Sequence, residues 1–349
     1  MSSSLLNSAT GVPTSMPVPQ ARGPLSATLV SILRSSADPR ELKTAADAYE
    51  DARSTDLTYD ILRDDDAQLT LTLLYELHLQ GIENVSDKWE WNPDLLAVRS
   101  RLETHFESAI AQLVGTVPSS GDVVADLWAL TAPSAGPGLA SFMAKDATVD
   151  QFAEVLIHRS LNQLREADVH TLGISRLSGA VKAALVEVQS DEYGGGRAER
   201  MHSRLFADTM RAVGLSDRYG HYIDAVPAAT LASLNALSLF GFHRRHLGAL
   251  VGHLCAVETT SALPSKRYSA GLRRLGFGSD VTLFYDEHVE ADSVHEQIAV
   301  RELAGGLASS QPHRAGDILF GAATCLAFDD LLGEHLTSSW DKGETSLRE

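Results

Sequence analysis

Apolar residues return every three or four positions through most of this chain, and that period constrains its fold more than any other feature. "DAQLTLTLLYELHLQGI" (66–82) and "DLLAVRSRLETHFESAIAQLVG" (94–115) show it first, each stopped by glycine. The same spacing predicts helices over 148–173, 178–193, 198–214, 227–261, 280–307 and 315–336. Runs of alternating Val, Ile and Thr bounded by hairpin turns are missing, so the expected fold class is all-α. "TAPSAGPGL" (131–139) is the best internal linker. It would divide an N-terminal helical region, 26–135, from a larger helical bundle, 136–337. Ser/Pro-rich residues 1–25 read as a disordered tail and residues 338–349 as a flexible one.

Composition narrows the function classes. A formal net charge of -17 argues against a nucleic-acid or anionic-membrane surface, since both want an excess of Lys and Arg. No stretch approaches the roughly 18 consecutive apolar residues of a membrane span. The first residues lack both a basic stretch and a continuous apolar one, so no signal peptide is expected. Cys255 and Cys325 are far apart in apolar helical patterns and support neither a disulfide framework nor a cysteine zinc site. A cytoplasmic location fits.

The chemistry begins in "FYDEHVEADSVHEQIAVREL" (284–303). On a helix turning about 100° per residue, Asp292 lies about 40° and His295 about 20° from His288, a single narrow stripe. Val281, Phe284 and Ala299 extend that stripe as apolar surface. Imidazole and carboxylate on an inward face are costly to bury unless they bind something, and they are the ligand types that suit iron, manganese or zinc. In helix bundles such sites are completed by acids from facing helices. Glu258 in "VGHLCAVETTSALP" is the clearest one. Glu192 in "VQSDEYGGGR" ends a helix at three glycines, which let His202 in "RMHSRLF" point the same way. Glu166 in "SLNQLREADVH" is the fourth acid, on the preceding amphipathic helix. Four carboxylates and three histidines exceed what one ion needs and suit two.

Each has a plainer reading. The His288 stripe has polar neighbours and suits a solvated face, and Glu258 suits a buried acid paired with Arg244 or Arg245. His202 suits a satisfied interhelical histidine, Glu166 an exposed helix acid and Glu192 a helix end. Glu76 and His78 in "YELHLQ" fall on different helix faces. His243, His246 and His253 are not expected to form a second metal site. Glu166 and His170, four residues apart, compete as a pair, and Glu166 is the one kept as a ligand. Trp89 and Trp91 read as packing anchors. "GGGR" follows a helix rather than a strand and is not a phosphate loop.

The order Glu166, Glu192, His202, Glu258, His288, Asp292, His295 over successive helices resembles the heme-oxygenase-like diiron oxidases and oxygenases, the iron-containing redox enzymes. The resemblance covers roughly 140–335. It implies a heme-oxygenase-like helical bundle, here with an extra N-terminal region, and those seven residues as ligands of two Fe ions. It implies a nonheme diiron enzyme that takes O2 as co-substrate, through a peroxo-diiron species, to oxidise a small molecule. Glu192 matches the extra carboxylate of the family's N-oxygenases and so favours oxidation of an amine or amino acid. Desaturation and C–C cleavage are the alternatives within the family, and a non-catalytic helical metal-binding protein is the alternative outside it. Lys266, Arg267 and Tyr268, just past Glu258, are candidate groups for a substrate carboxylate. A reductase or ferredoxin would supply electrons, and a homodimer is compatible with the reading.

Overall fold

Polar caps and glycines set the helix boundaries. The computed structural model describes residues 15–35, 37–53, 59–133 and 138–348, with the side chains of 290–293 outside the described set. The N-terminal helices are α1 (Pro24–Ser35), α2 (Arg40–Arg53), α3 (Asp65–Glu76), α4 (Pro93–Val114) and α5 (Val123–Leu130). Next come α6 (Leu139–Lys145), α7 (Val149–Gln163), α8 (Asp168–Thr171), α9 (Gly179–Glu192) and α10 (His202–Ala212). The last are α11 (Ala228–Phe242), α12 (Leu247–Thr260), α13 (Ala262–Arg274), α14 (Ser279–Gln297), α15 (Gly306–Ser310) and α16 (Ala315–Asp341). Asp64 caps α3 by accepting from the Asp66 and Ala67 amides, and Thr148 and Gln151 form a reciprocal capping box on α7. Extended pairing among the described residues is limited to an isolated bridge between Met16 and Ile82. The fold is all-α, and among the described residues no helix is long and apolar enough to cross a membrane.

Three predicted helices are interrupted, two of them beside the site. The 148–173 helix ends at Gln163, passes through Ala167 at φ +76° and restarts as α8. The 227–261 helix breaks at His243, whose extended backbone separates α11 from α12. The 280–307 helix widens into a π-helix over Ile298–Gly305, a form found mostly as short insertions and often near functional sites. Its wider turn buries Ile298, Ala299 and Val300 in succession.

Helices α12 and α16 approach backbone to backbone. A Cβ on Gly252 would lie 1.8 Å from the Ile318 carbonyl oxygen, and one on Gly321 2.0 Å from that of Ala249. This contact fixes α12, which carries Glu258, at the centre of the bundle. The N-terminal helices are not a separately packed layer. Leu29, Leu69 and Phe106 share one apolar core with Ile157, Leu161, Leu231 and Phe240. The expected division at 135/136 therefore does not separate two cores, and residues 134–137 of the expected linker lie outside the described residues.

Both expected tails are partly packed. Met16 is fully buried, donates its amide to Gly81 O and accepts from the Glu83 amide; residues 1–14 lie outside the described residues. At the other end α16 runs to Asp341, after which the Ser346 amide donates to Glu154 and the Ser346 hydroxyl lies 3.0 Å from His158 Nε2. The partners for both ends come from distant elements, so the local sequence gives no sign of them.

Candidate metal centre

The turn after α7 and helices α9, α10, α12 and α14 bring six of the seven predicted ligands together. Ligand atoms of Glu166, Glu192, His202 and His288 all lie within 4.8 Å of one another, and so do those of Glu192, Glu258 and His295. Glu192 belongs to both groups. Asp292 sits on the α14 backbone between His288 and His295, but its side chain lies outside the described ones.

Hydrogen bonds decide which imidazole nitrogens face the groups. His288 Nδ1 donates to the Phe284 carbonyl at 2.7 Å, which leaves Nε2 facing Glu166 at 3.6 Å. His295 Nε2 donates to Asp191 at 3.0 Å, while Nδ1 lies 3.3 Å from Glu258. A carboxylate or carbonyl behind an imidazole is the usual arrangement for orienting a metal-binding histidine. His202 Nδ1 lies 2.9 Å from Glu192 Oε2. His202 Nδ1, His295 Nδ1 and Glu166 Oε2 are buried atoms without an aligned hydrogen-bond partner. Buried polar atoms rarely stand so. Three of them pointing into one cluster fit lone pairs aimed at a cation, and imidazole with carboxylate is a donor set that suits iron.

Charge at the site agrees. Burial opposes protonation of His295, but Glu258, then Asp191 and Glu192, raise its pKa to about 9. Burial also opposes His202 and is outweighed by Glu192, so its pKa is raised too. Glu192 itself is held below the usual carboxylate range against burial by His202, then His288 and His295. The acids form a field that binds positive charge, as protons in the apo-protein and as a cation when one is present.

A void of about 50 Å³ lies between Glu166, Glu192, Glu258 and His288, and His170 and His253 stand in its wall. Those two histidines face each other, His170 Nε2 to His253 Nδ1 at 3.1 Å. Burial keeps both neutral, with His253 lowered to about 4. A larger cavity of about 200 Å³ adjoins it and shares Glu166, His288 and His253. Its wall includes Tyr268, but Lys266 is exposed and neither it nor Arg267 lines the cavity. The cation in the wall is Arg159, on α7. It sits 3.7 Å from Asp329 and keeps 30% of its side-chain surface accessible. Sequence reading missed Arg159 because one arginine in an amphipathic helix carries no signal. It missed Asp191 because that residue looks like any helix-end acid.

Glu166 differs in one respect: it lies in the turn after α7 rather than on a helix. Of the two arginines expected as alternative partners of Glu258, Arg245 pairs with Glu107. His243 and His246 are held by Glu103 and Glu107. Trp89 packs on the core edge, while Trp91 is 71% exposed with its ring against His78.

A family model described as "Iron-containing redox enzyme" matches residues 153–330, just over half the chain and all seven predicted ligand positions. The chain belongs to that family. This iron-containing redox enzyme is thus an oxidoreductase of the heme-oxygenase-like fold, with Glu/His groups able to hold metal. A search of curated proteins gives no match. Among solved structures, a CADD-like protein of unknown function from Nostoc punctiforme is similar at 18% identity, over 67% of this chain and 96% of that one, with a TM-score of 0.45.

Proposed function

We propose that the chain is a nonheme diiron oxidoreductase that uses O2 to oxidise a small molecule, with an amine or amino acid as the substrate and nitrogen as the oxidised atom. The observation that carries this reading is the pair of ligand groups meeting at Glu192. One group would consist of Glu166, His202 and His288, the other of Glu258 and His295. Glu192 would join them, and Asp292, between the two histidines of α14, would complete the set. Iron, when bound, supplies the electrons and open coordination positions that O2 activation needs.

The chain's own residues supply the rest. Phe284 O and Asp191 hold the imidazole rings of His288 and His295 so that His288 Nε2 is turned to Glu166 and His295 Nδ1 to Glu258. The larger cavity shares Glu166 and His288 with the first group, so a molecule held in it abuts that group. Arg159 stays cationic despite burial, because Asp329, Tyr268 and Tyr285 favour its charge, and it offers a fixed donor fork to a carboxylate. Asp329 beside it offers an acceptor to an ammonium, so the cavity suits a zwitterion. Leu234, Leu237 and Phe284 line the same space and limit water. A reductase or ferredoxin would return electrons after each turnover.

His288→Ala or Glu258→Ala is expected to abolish iron-dependent O2 consumption while leaving the helical spectrum unchanged. Full iron-dependent activity in either variant would overturn the assignment.

A further inference from the structure

Glu76, in "YELHLQGI", belongs to neither ligand group, yet it is a buried acid, 1% exposed, at the end of α3. Its Oε2 lies 3.3 Å from Arg165 Nη1 and accepts from the Tyr219 hydroxyl at 2.9 Å. The Arg165 guanidinium also sits over the Tyr219 ring, 5.5 Å from its centroid, and its Nε donates to Leu161 O at 3.2 Å. Arg165 precedes Glu166. The two side chains leave the same turn for different partners, Arg165 for Glu76 on α3 and Glu166 for His288 on α14.

That turn has little of its own to hold Glu166. The Glu166 amide reaches only Gln163 O at 3.4 Å, and the next residue is Ala167 at φ +76°. A left-handed alanine costs of order 1 kcal/mol and persists only where its surroundings impose it. One imposed contact is that of Arg165, tied by side chain to Glu76 and by backbone to Asn162 and Asp168. A second tie runs beside it. Gln80, just past α3, donates to Asp168, which accepts from the hydroxyl of Tyr193, the residue after Glu192.

We propose that the end of α3 is a positioning element for the metal centre, with the buried Glu76–Arg165 pair setting where the Glu166 carboxylate stands. Buried ion pairs are poor stabilisers against apolar replacements of similar volume, so stability alone gives no reason for one here. Outer partners that orient a ligand typically contribute tenfold to a hundredfold in metal affinity. This gives the N-terminal helices a function: they hold one side of the site rather than forming an independent domain. The inference rests on Glu166 being a ligand of the first group.

The test uses anaerobic Fe(II) titration of the full chain, with each ligand group read separately. In a Glu258→Ala background the first group is read, and in a His288→Ala background the second. Glu76→Gln keeps the side-chain volume and an acceptor for Tyr219 but removes the ion pair. It is expected to weaken Fe(II) binding about tenfold or more in the first background and less than about threefold in the second. Unchanged affinity in the first background, or equal losses in both, would overturn the proposal, because a merely structural role would loosen both groups alike. Should Glu76→Gln not fold, Tyr219→Phe removes one hydroxyl from Glu76 and is expected to give a smaller loss confined to the first group; an unconfined loss, or none, counts against it. Glu166→Ala in the first background is the separate control. If that variant binds like its parent, the ligand assignment fails, whatever Glu76 does.

Discussion

Metal binding by the Glu192–Glu258–His295 group should be limited by a proton. In the apo-protein His295 holds its proton up to about pH 9, because Glu258, Asp191 and Glu192 outweigh the burial that opposes the charge. A metal ion bound through His295 Nδ1 must displace that proton. Apparent affinity then falls about tenfold for each pH unit below 9, and is about a hundredfold weaker at pH 7 than in the deprotonated limit. A histidine with an ordinary pKa near 6.5 would lose almost nothing at pH 7. The perturbation is pH between 6.5 and 8.5 in the His288→Ala protein, where this group is the one left intact. Calorimetric titration with Co(II) in buffers of different ionisation enthalpy reads both the affinity and the protons released. About one proton per ion at pH 7.5 and a slope near one log unit per pH unit are expected, and Asp191→Asn should flatten the slope. A flat affinity between pH 7 and 8.5, with no proton released, would refute the reasoning. The stability sign follows from the same shift. The folded pKa lies above the unfolded one, so the protonated His295 stabilises the apo-protein fully below about pH 6.5, and that contribution is lost as pH rises through 9.

Three further outcomes follow from the geometry. Glu192→Ala should weaken binding of both ions, whereas His202→Ala weakens one, because Glu192 alone belongs to both groups; two independent losses in a two-step Fe(II) titration would show it. Arg159→Met should abolish the rise in Tm that a zwitterionic amino acid gives the wild type, and the amide analogue of that amino acid should move neither protein; a ligand that stabilises both equally counts against the Arg159 assignment. Gly252→Ala drives a methyl into the Ile318 carbonyl, so a loss of about 3 kcal/mol, the upper end for overpacking, is expected in urea unfolding; wild-type stability would contradict the α12–α16 contact.

The helical period of the sequence was enough for the fold class and for most helices, since α4, α9 and α16 begin within about two residues of the apolar runs that predict them. The breaks were not legible. Ala167 is left-handed in a turn whose Arg165 reaches distant α3, and the π-helix after His295 packs against α9 and α12. Those breaks place Glu166 in a turn and set the face that follows His295. Candidate ligands were readable because His288, Asp292 and His295 fall on one stripe and Glu258 interrupts an apolar run. Their division was not. That Glu192 faces both groups depends on the course of the chain through Gly194, Gly195 and Gly196, all at positive φ. The roles of Glu76 and Arg159 were hidden for the same reason: both act through partners from distant parts of the chain.

The central claim is that two ions bind, one at each ligand group. Anaerobic titration of the wild-type chain with Fe(II), with bound iron counted after gel filtration, tests it most directly. The account predicts two irons per chain, one in His288→Ala, one in Glu258→Ala, and no Soret band in any of them. A single iron in the wild type, or a count that neither substitution changes, would contradict it.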